Sequence, residues 1–171
     1  ISAALLVWGS ACGGTTETNN DTGNNDNQNS SSEHPNLSCS EEGEETTCEI
    51  TGEITEDLTL ANDGTIWILS GPVFVGDDTE ETVLTIEAGT TVFADAASSD
   101  TTFLTVRRNA KIMAEGTADG PIVFTPTTAE GERQRGLWGG LILNGNAPIN
   151  EGDEAEGEGN TGTYGGDDPA D

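Results

Sequence analysis

Apolar and polar residues alternate in short runs through the middle of this chain, and three of the runs share a longer pattern. Leu84–Val92 (LTIEAGTTV), Leu104–Ile112 (LTVRRNAKI) and Leu141–Ile149 (LILNGNAPI) read alike. Each is Leu-x-aliphatic, two variable positions, Gly or Asn, Thr or Ala, one variable position, then Val or Ile. Alternation with a period of two marks a short strand with one buried face. Gly89, Asn109 and Asn146 fall where the chain must turn, and both residue types tolerate positive φ. A strand–corner–strand unit recurring at one register predicts a β-solenoid. In that register Leu84, Leu104 and Leu141 stack inside, Ile86, Val106 and Leu143 stack beside them, and Val92, Ile112 and Ile149 form another internal ladder. Glu87 then lies over Arg107 as a favourable cross-strand pair. A β-sandwich of similar short strands is the alternative.

The flanking pattern extends this reading. Residues 49–60 alternate weakly and read as an entry strand or cap. Ile66–Leu69 and Val73–Val75 are strands broken by Ser70, Gly71 and Pro72. The first two copies start at Leu84 and Leu104. The third starts at Leu141, after an extra strand at 121–126 and a polar insertion at 127–135. Removing the insertion leaves a spacing of about twenty residues, the scale of one solenoid turn. Apolar spacing of 3.6 is absent and Gly is frequent, so the fold class is all-β.

The foldable stretch is 48–150. Residues 13–47 hold one large aliphatic residue, Leu37, among Thr, Asn, Asp, Gly, Ser, Gln and Glu. Such a segment buries too little apolar surface to offset the entropy of ordering. Residues 12–47 are therefore expected to be a disordered acidic tether, and 151–171 an acidic, Gly-rich loop.

Residues 1–11 read as a signal-peptide remnant. Ile1–Trp8 is apolar and too short to span a bilayer, and Gly9, Ser10 and Ala11 supply small residues before Cys12. This run resembles the lipobox of bacterial lipoproteins, in which the Cys is acylated after cleavage; Gly9 departs from the Leu or Val usual there. The resemblance implies a lipid anchor at Cys12 and a bacterial cell-envelope location, an outer-membrane lipoprotein facing periplasm or cell surface. An ordinary secretory signal cut nearby is the alternative. Without an initiator Met the chain reads as truncated at this end. With Cys12 acylated, Cys39 and Cys48 remain, and an even pair in an oxidising compartment predicts a disulfide.

The formal net charge is −27, from 32 acids against 5 bases. Nucleic acid is excluded as a partner, because phosphate contacts need a basic surface. All five bases lie between Arg107 and Arg135. Arg107, Arg108 and Lys111 are candidate ligand-binding residues, with pairing to neighbouring acids as the plain structural reading. Asp77, Asp78, Glu80 and Glu81 form an acidic loop that is a candidate weak Ca²⁺ site; no other cofactor is implied. His34, before Pro35 in the polar segment, reads as solvated.

Further motifs join the repeats: 110–118 (AKIMAEGTA), 121–125 (PIVFT), 138–145 (WGGLILNG) and 164–168 (YGGDD). Together they resemble a family of bacterial exported or lipid-anchored proteins, mostly without assigned function, that carry a right-handed parallel β-helix of the pectate-lyase-like type. The resemblance covers roughly residues 48–171 and implies a right-handed parallel β-helix here. It also implies a longer parent protein with further coils past Asp171. The fold hosts lyases, hydrolases and non-catalytic surface proteins alike, so fold alone does not choose. The expectation is a non-catalytic surface lipoprotein, a scaffold for a glycan or another surface component, with Tyr164 as a candidate sugar-stacking residue. The alternative is a polysaccharide lyase or hydrolase whose site lies mostly in further coils. An acidic surface repels polyanions, so a neutral glycan or a protein surface is the expected partner unless Ca²⁺ bridges.

Overall fold

The structure, a computed structural model, describes residues 34–150 and 152–167. Cys12 and the segment around it lie outside the described residues. The described residues are almost entirely strand and loop, in agreement with an all-β class.

Strand structure begins before Cys48, inside the expected tether. Strands β1 (Leu37–Glu42) and β2 (Glu45–Ile54) form an antiparallel hairpin, turning at Gly43 with φ +70°. The hairpin is stable there despite its polar composition because Cys39 and Cys48 are paired in register and joined by the expected disulfide. Cys48 is also fully buried in the core. His34 sits just ahead of it. Its Nδ1 accepts from the Asn36 amide, and its Nε2 lies 3.4 Å from the Glu56 carbonyl.

Every strand pairing between β2 and residue 143 is parallel. The strands are β3 (Leu58–Leu60), β4 (Ile66–Val75), β5 (Val83–Ile86), β6 (Thr91–Ala94), β7 (Phe103–Val106), β8 (Lys111–Met113), β9 (Val123–Pro126) and β10 (Leu141–Leu143). They form three ladders. The first joins the front half of β2, the front half of β4, β6 and β9. The second joins the rear halves of β2 and β4 to β7 and β10. The third joins β3, β5 and β8. The chain visits the ladders in the same order each time. β2 and β4 serve two ladders because Gly52 (φ +70°) and Gly71 (φ +66°) bend them without ending them. Sequence alternation becomes burial alternation: along β4 inward side chains are buried and outward ones half-buried. Trp67, Leu69 and Val92 face inward from the first ladder, Val73, Val75, Leu104 and Val106 from the second, and Leu58, Leu60, Leu84 and Ile86 from the third. Buried side chains of this size contribute roughly 1.5–3 kcal/mol each.

The three-copy register is corrected in part. Leu104 pairs with Leu141 and Val106 with Leu143, as expected. Leu84, however, pairs with Leu58 and Ile112, whereas Leu104 pairs with Val73. Val92 registers with Trp67 and Phe124, not with Ile112. Copy one spans the corner from the third ladder to the first; copy two spans the corner from the second to the third. Any corner between two inward-facing strands needs the same pattern, so a match in pattern does not imply a match in ladder. Glu87 and Arg107 consequently sit at different corners. Glu87 accepts the Asn62 amide, and Arg107 pairs with Glu53. Ile149 makes only an isolated bridge to Gly152. Leu141 and Leu143, expected to be buried, are 41% and 64% exposed. They lie on β10, which has one partner strand, β7, among the described residues.

Gly89 and Asn109 take the positive φ expected of them, at 88° and 66°. Asn146 does not; its side-chain amide instead donates to Asn109 Oδ1, while Asn109 donates to the Asp78 carbonyl. The C-terminal segment is more than a loop. β11 (Ala155–Glu156) and β12 (Thr163–Tyr164) form an antiparallel hairpin around a 3-10 turn at Glu158–Asn160. It rests against the second ladder, where Asn144 Nδ2 donates to the Thr161 carbonyl and the Gly165 amide to the Gly145 carbonyl.

Candidate functional site

The cations singled out in the sequence are engaged within the fold. Arg107 lies past the end of β7. Its guanidinium sits 4.3 Å above the Phe74 ring and reaches Glu53 at 2.7 Å, so β2, β4 and β7 are tied across their outward face. Arg108 is the more enclosed link, with its side chain 14% exposed. It pairs with Glu154 and donates to the Gly165 carbonyl, which fixes the C-terminal hairpin. The Glu154 hydrogen bond, reinforced by the charges of Glu154 and Asp78, raises the Arg108 pKa above its ordinary value against the opposing effect of burial. Arg108 Nε and Asp78 Oδ1 face each other at 3.5 Å without forming a hydrogen bond, so this contact is an ion pair only. Lys111 pairs with Glu81 at the surface, where such a contact is worth ~0–1 kcal/mol.

The acidic loop is divided among separate tasks. Asp77 Oδ1 accepts from both the hydroxyl and the amide of Thr79, and those bonds lower its pKa. Asp78 faces Arg108 and Glu81 faces Lys111, while Glu80 stands exposed. Among the described residues no three His, Cys, Asp or Glu side chains converge as metal ligands. The four acids considered for Ca²⁺ are thus not gathered around one point. Tyr164 is half-buried on β12, opposite Ala155.

The polar insertion builds a different site. Between β9 and β10 the chain makes a groove of about 880 Å³, lined by Pro126, Arg133, Gln134, Arg135, Gly136 and Trp138. Its aromatic wall is placed by core packing. Phe124 continues the inward column of Trp67 and Val92, and Trp138 stacks on Phe124 with ring centroids 6.0 Å apart and planes 7° from parallel. Its floor ends at Pro126, the last residue of β9. Arg133 Nε donates to the Thr128 carbonyl, which folds the loop back on itself. The ion pairs among the described residues involve Arg107, Arg108 and Lys111, and none involves Arg133 or Arg135. Two exposed guanidiniums without a carboxylate partner are notable in a chain with 32 acids. Guanidinium forks match carboxylate geometry, and an indole offers a flat apolar face.

This site was legible only as a run of polar residues. The available signal was Arg133 and Arg135 followed closely by Trp138, but nothing local said which bases would find acids. Arg107, Arg108 and Lys111 meet acids 54, 46 and 30 residues away in sequence.

A model of the pectate-lyase-like beta helix domain matches residues 52–171. No curated protein and no solved structure matches the chain.

Proposed function

The chain belongs to the pectate-lyase-like β-helix domain family, and from that premise we propose a right-handed parallel β-helix acting as a non-catalytic scaffold that binds an acidic glycan. Three parallel ladders visited in constant order support the helical reading. The observation that carries the binding role is the Arg133–Trp138 groove, lined by an indole and by two guanidiniums that have no carboxylate partner among the described residues. The Trp138 face takes the apolar face of a sugar ring, and the guanidiniums take its carboxylate. The net charge of −27 opposes a long polyanion, so a short acidic unit or chain end is the fitting ligand.

A binding rather than catalytic role is supported by how the other ionisable groups are used. Arg107, Arg108 and Lys111 brace neighbouring strands and the C-terminal hairpin. The reading also includes an envelope location, with the chain held to a membrane through acylated Cys12. The short apolar run and small residues before Cys12 support it, and the Cys39–Cys48 disulfide suits an oxidising compartment.

The test is calorimetric titration of a galacturonic-acid trisaccharide into wild-type protein and an Arg133→Ala/Arg135→Ala variant. Losing charge-assisted hydrogen bonds should weaken binding by at least about tenfold. Equal binding by both proteins, or tighter binding of an uncharged glucose trisaccharide by the wild type, would show the groove reading to be wrong.

A further inference from the structure

The C-terminal hairpin is held to the second ladder by polar bonds. Arg108 pairs with Glu154 and donates to the Gly165 carbonyl. Two further anchors come from one dipeptide at the end of β10. Asn144 Nδ2 donates to the Thr161 carbonyl at 3.1 Å, and the Gly145 carbonyl accepts from the Gly165 amide at 2.8 Å. The hairpin pairs two residues on each strand, and its 3-10 turn buries none. A two-stranded hairpin of this size is marginal by itself, so it opens locally at low free energy.

Asn144–Gly145 is also the one Asn-Gly sequence in the chain. An asparagine side chain is an amide, and its Cγ is open to attack by the main-chain nitrogen of the next residue, which closes a five-membered ring. Glycine at that place has no Cβ to block the approach. The structure leaves the nitrogen available. Gly145 is exposed, and its N–H makes no hydrogen bond among the described residues; the ladder ends one residue earlier, where the Asn144 amide donates to the Val106 carbonyl. Asn62 is the contrast: its side chain also donates to a distant carbonyl, that of Ala88, but Asp63 follows it. We propose that Asn144 is a self-modifying site whose conversion to aspartate or isoaspartate releases the hairpin. The Gly145 nitrogen gives its proton to solvent and attacks Asn144 Cγ. The Cγ–Nδ2 bond breaks and ammonia leaves, taking one proton back from solvent. Water then hydrolyses the cyclic imide. Cutting the N–Cγ bond gives aspartate; cutting the bond from N to the main-chain carbon gives isoaspartate, with one more carbon in the backbone. Either product loses the donor to Thr161 and places a negative charge beside its carbonyl. Isoaspartate also shifts the Gly145 carbonyl away from the Gly165 amide. While the hairpin is docked, the Thr161 bond holds the Asn144 amide, so ring closure draws on the open hairpin. Each conversion then removes a bond that closes it.

The test ages the full chain at neutral and at mildly alkaline pH and follows position 144 by peptide mass spectrometry. Conversion to both products is expected, ahead of every other asparagine among the described residues and faster at the higher pH. Arg108→Ala removes a charged anchor of the hairpin and should speed conversion roughly tenfold. Gly145→Ala adds a Cβ at the attacking residue and should slow it. Aged wild-type protein separated by charge, and the Asn144→Asp variant, should both lose amide-exchange protection at Gly165. The Arg107 amide, bonded to the Val75 carbonyl within the stack, should keep its protection. An unmodified position 144 in the aged protein, while a peptide of residues 141–148 converts alongside it, overturns the proposal. So does an Arg108→Ala rate equal to that of wild type, or full Gly165 protection in the aged, modified protein.

Discussion

The packing makes unequal predictions for two leucines that the repeat pattern places inward alike. Leu104 and Leu143 both point inward from neighbouring strands of one ladder, yet Leu104 is 1% exposed and Leu143 is 64% exposed. Leu104 lies between Val73 and Leu141 in register. Its truncation to Ala removes three carbon groups from a closed environment, a transfer loss of ~2.4 kcal/mol at ~0.8 kcal/mol per group. The surrounding strands are held by ladders on both sides and cannot fully collapse, so a residual cavity adds ~1 kcal/mol. Leu104→Ala should therefore cost ~3–4 kcal/mol. Leu143→Ala removes the same atoms, but with about a third of the side chain out of water and no enclosed cavity it should cost ~1 kcal/mol or less. Equilibrium urea unfolding of both variants, at equal m-value, measures the difference. Equal losses would mean that Leu143 is as enclosed as Leu104 in solution, which would contradict its exposed place on β10.

Two further outcomes follow from local chemistry. Reduction of the Cys39–Cys48 disulfide, which closes a loop with a sequence separation of 9, should lower stability by at most ~3 kcal/mol, with protection from amide exchange lost first in β1. Mass spectrometry that finds both thiols free in protein kept from reductant would contradict the pairing. Asp63 and Asp77 have pKa values lowered by hydrogen bonds from Thr65 and Thr79. A depressed carboxyl pKa adds stability that is present above the unfolded value and lost as pH falls through the folded one. The amide signals of Thr65 and Thr79 should accordingly titrate with midpoints below the reference value of 3.8; midpoints at or above it would mean these turns are open.

Much of the secondary structure was readable because strand alternation is local. The inward positions Leu84, Ile86, Leu104 and Val106 were assigned from a period of two, and all four are buried. Turn residues were partly readable for the same reason: Gly89 and Asn109 adopt positive φ, whereas Asn146 uses its side-chain amide on a neighbouring corner instead. The arginines were readable as residue types but not as roles. Arg107 became a brace because Phe74 and Glu53 share its ladder, whereas Arg133, with no carboxylate partner among the described residues, donates to the Thr128 carbonyl of its own loop.

The sequence by itself determined the all-β class, the inward facing of Leu84, Ile86, Leu104 and Val106, and the pairing of Cys39 with Cys48. Only the tertiary structure decided which ladder each strand joins, that the segment after residue 151 folds back against the second ladder, and that Arg133, Arg135 and Trp138 line one groove. The reason is physical. Alternation is imposed residue by residue, so it survives in any short window. Ladder membership depends on where loops of different length return the chain, and on which distant side chain or backbone group is there to meet it.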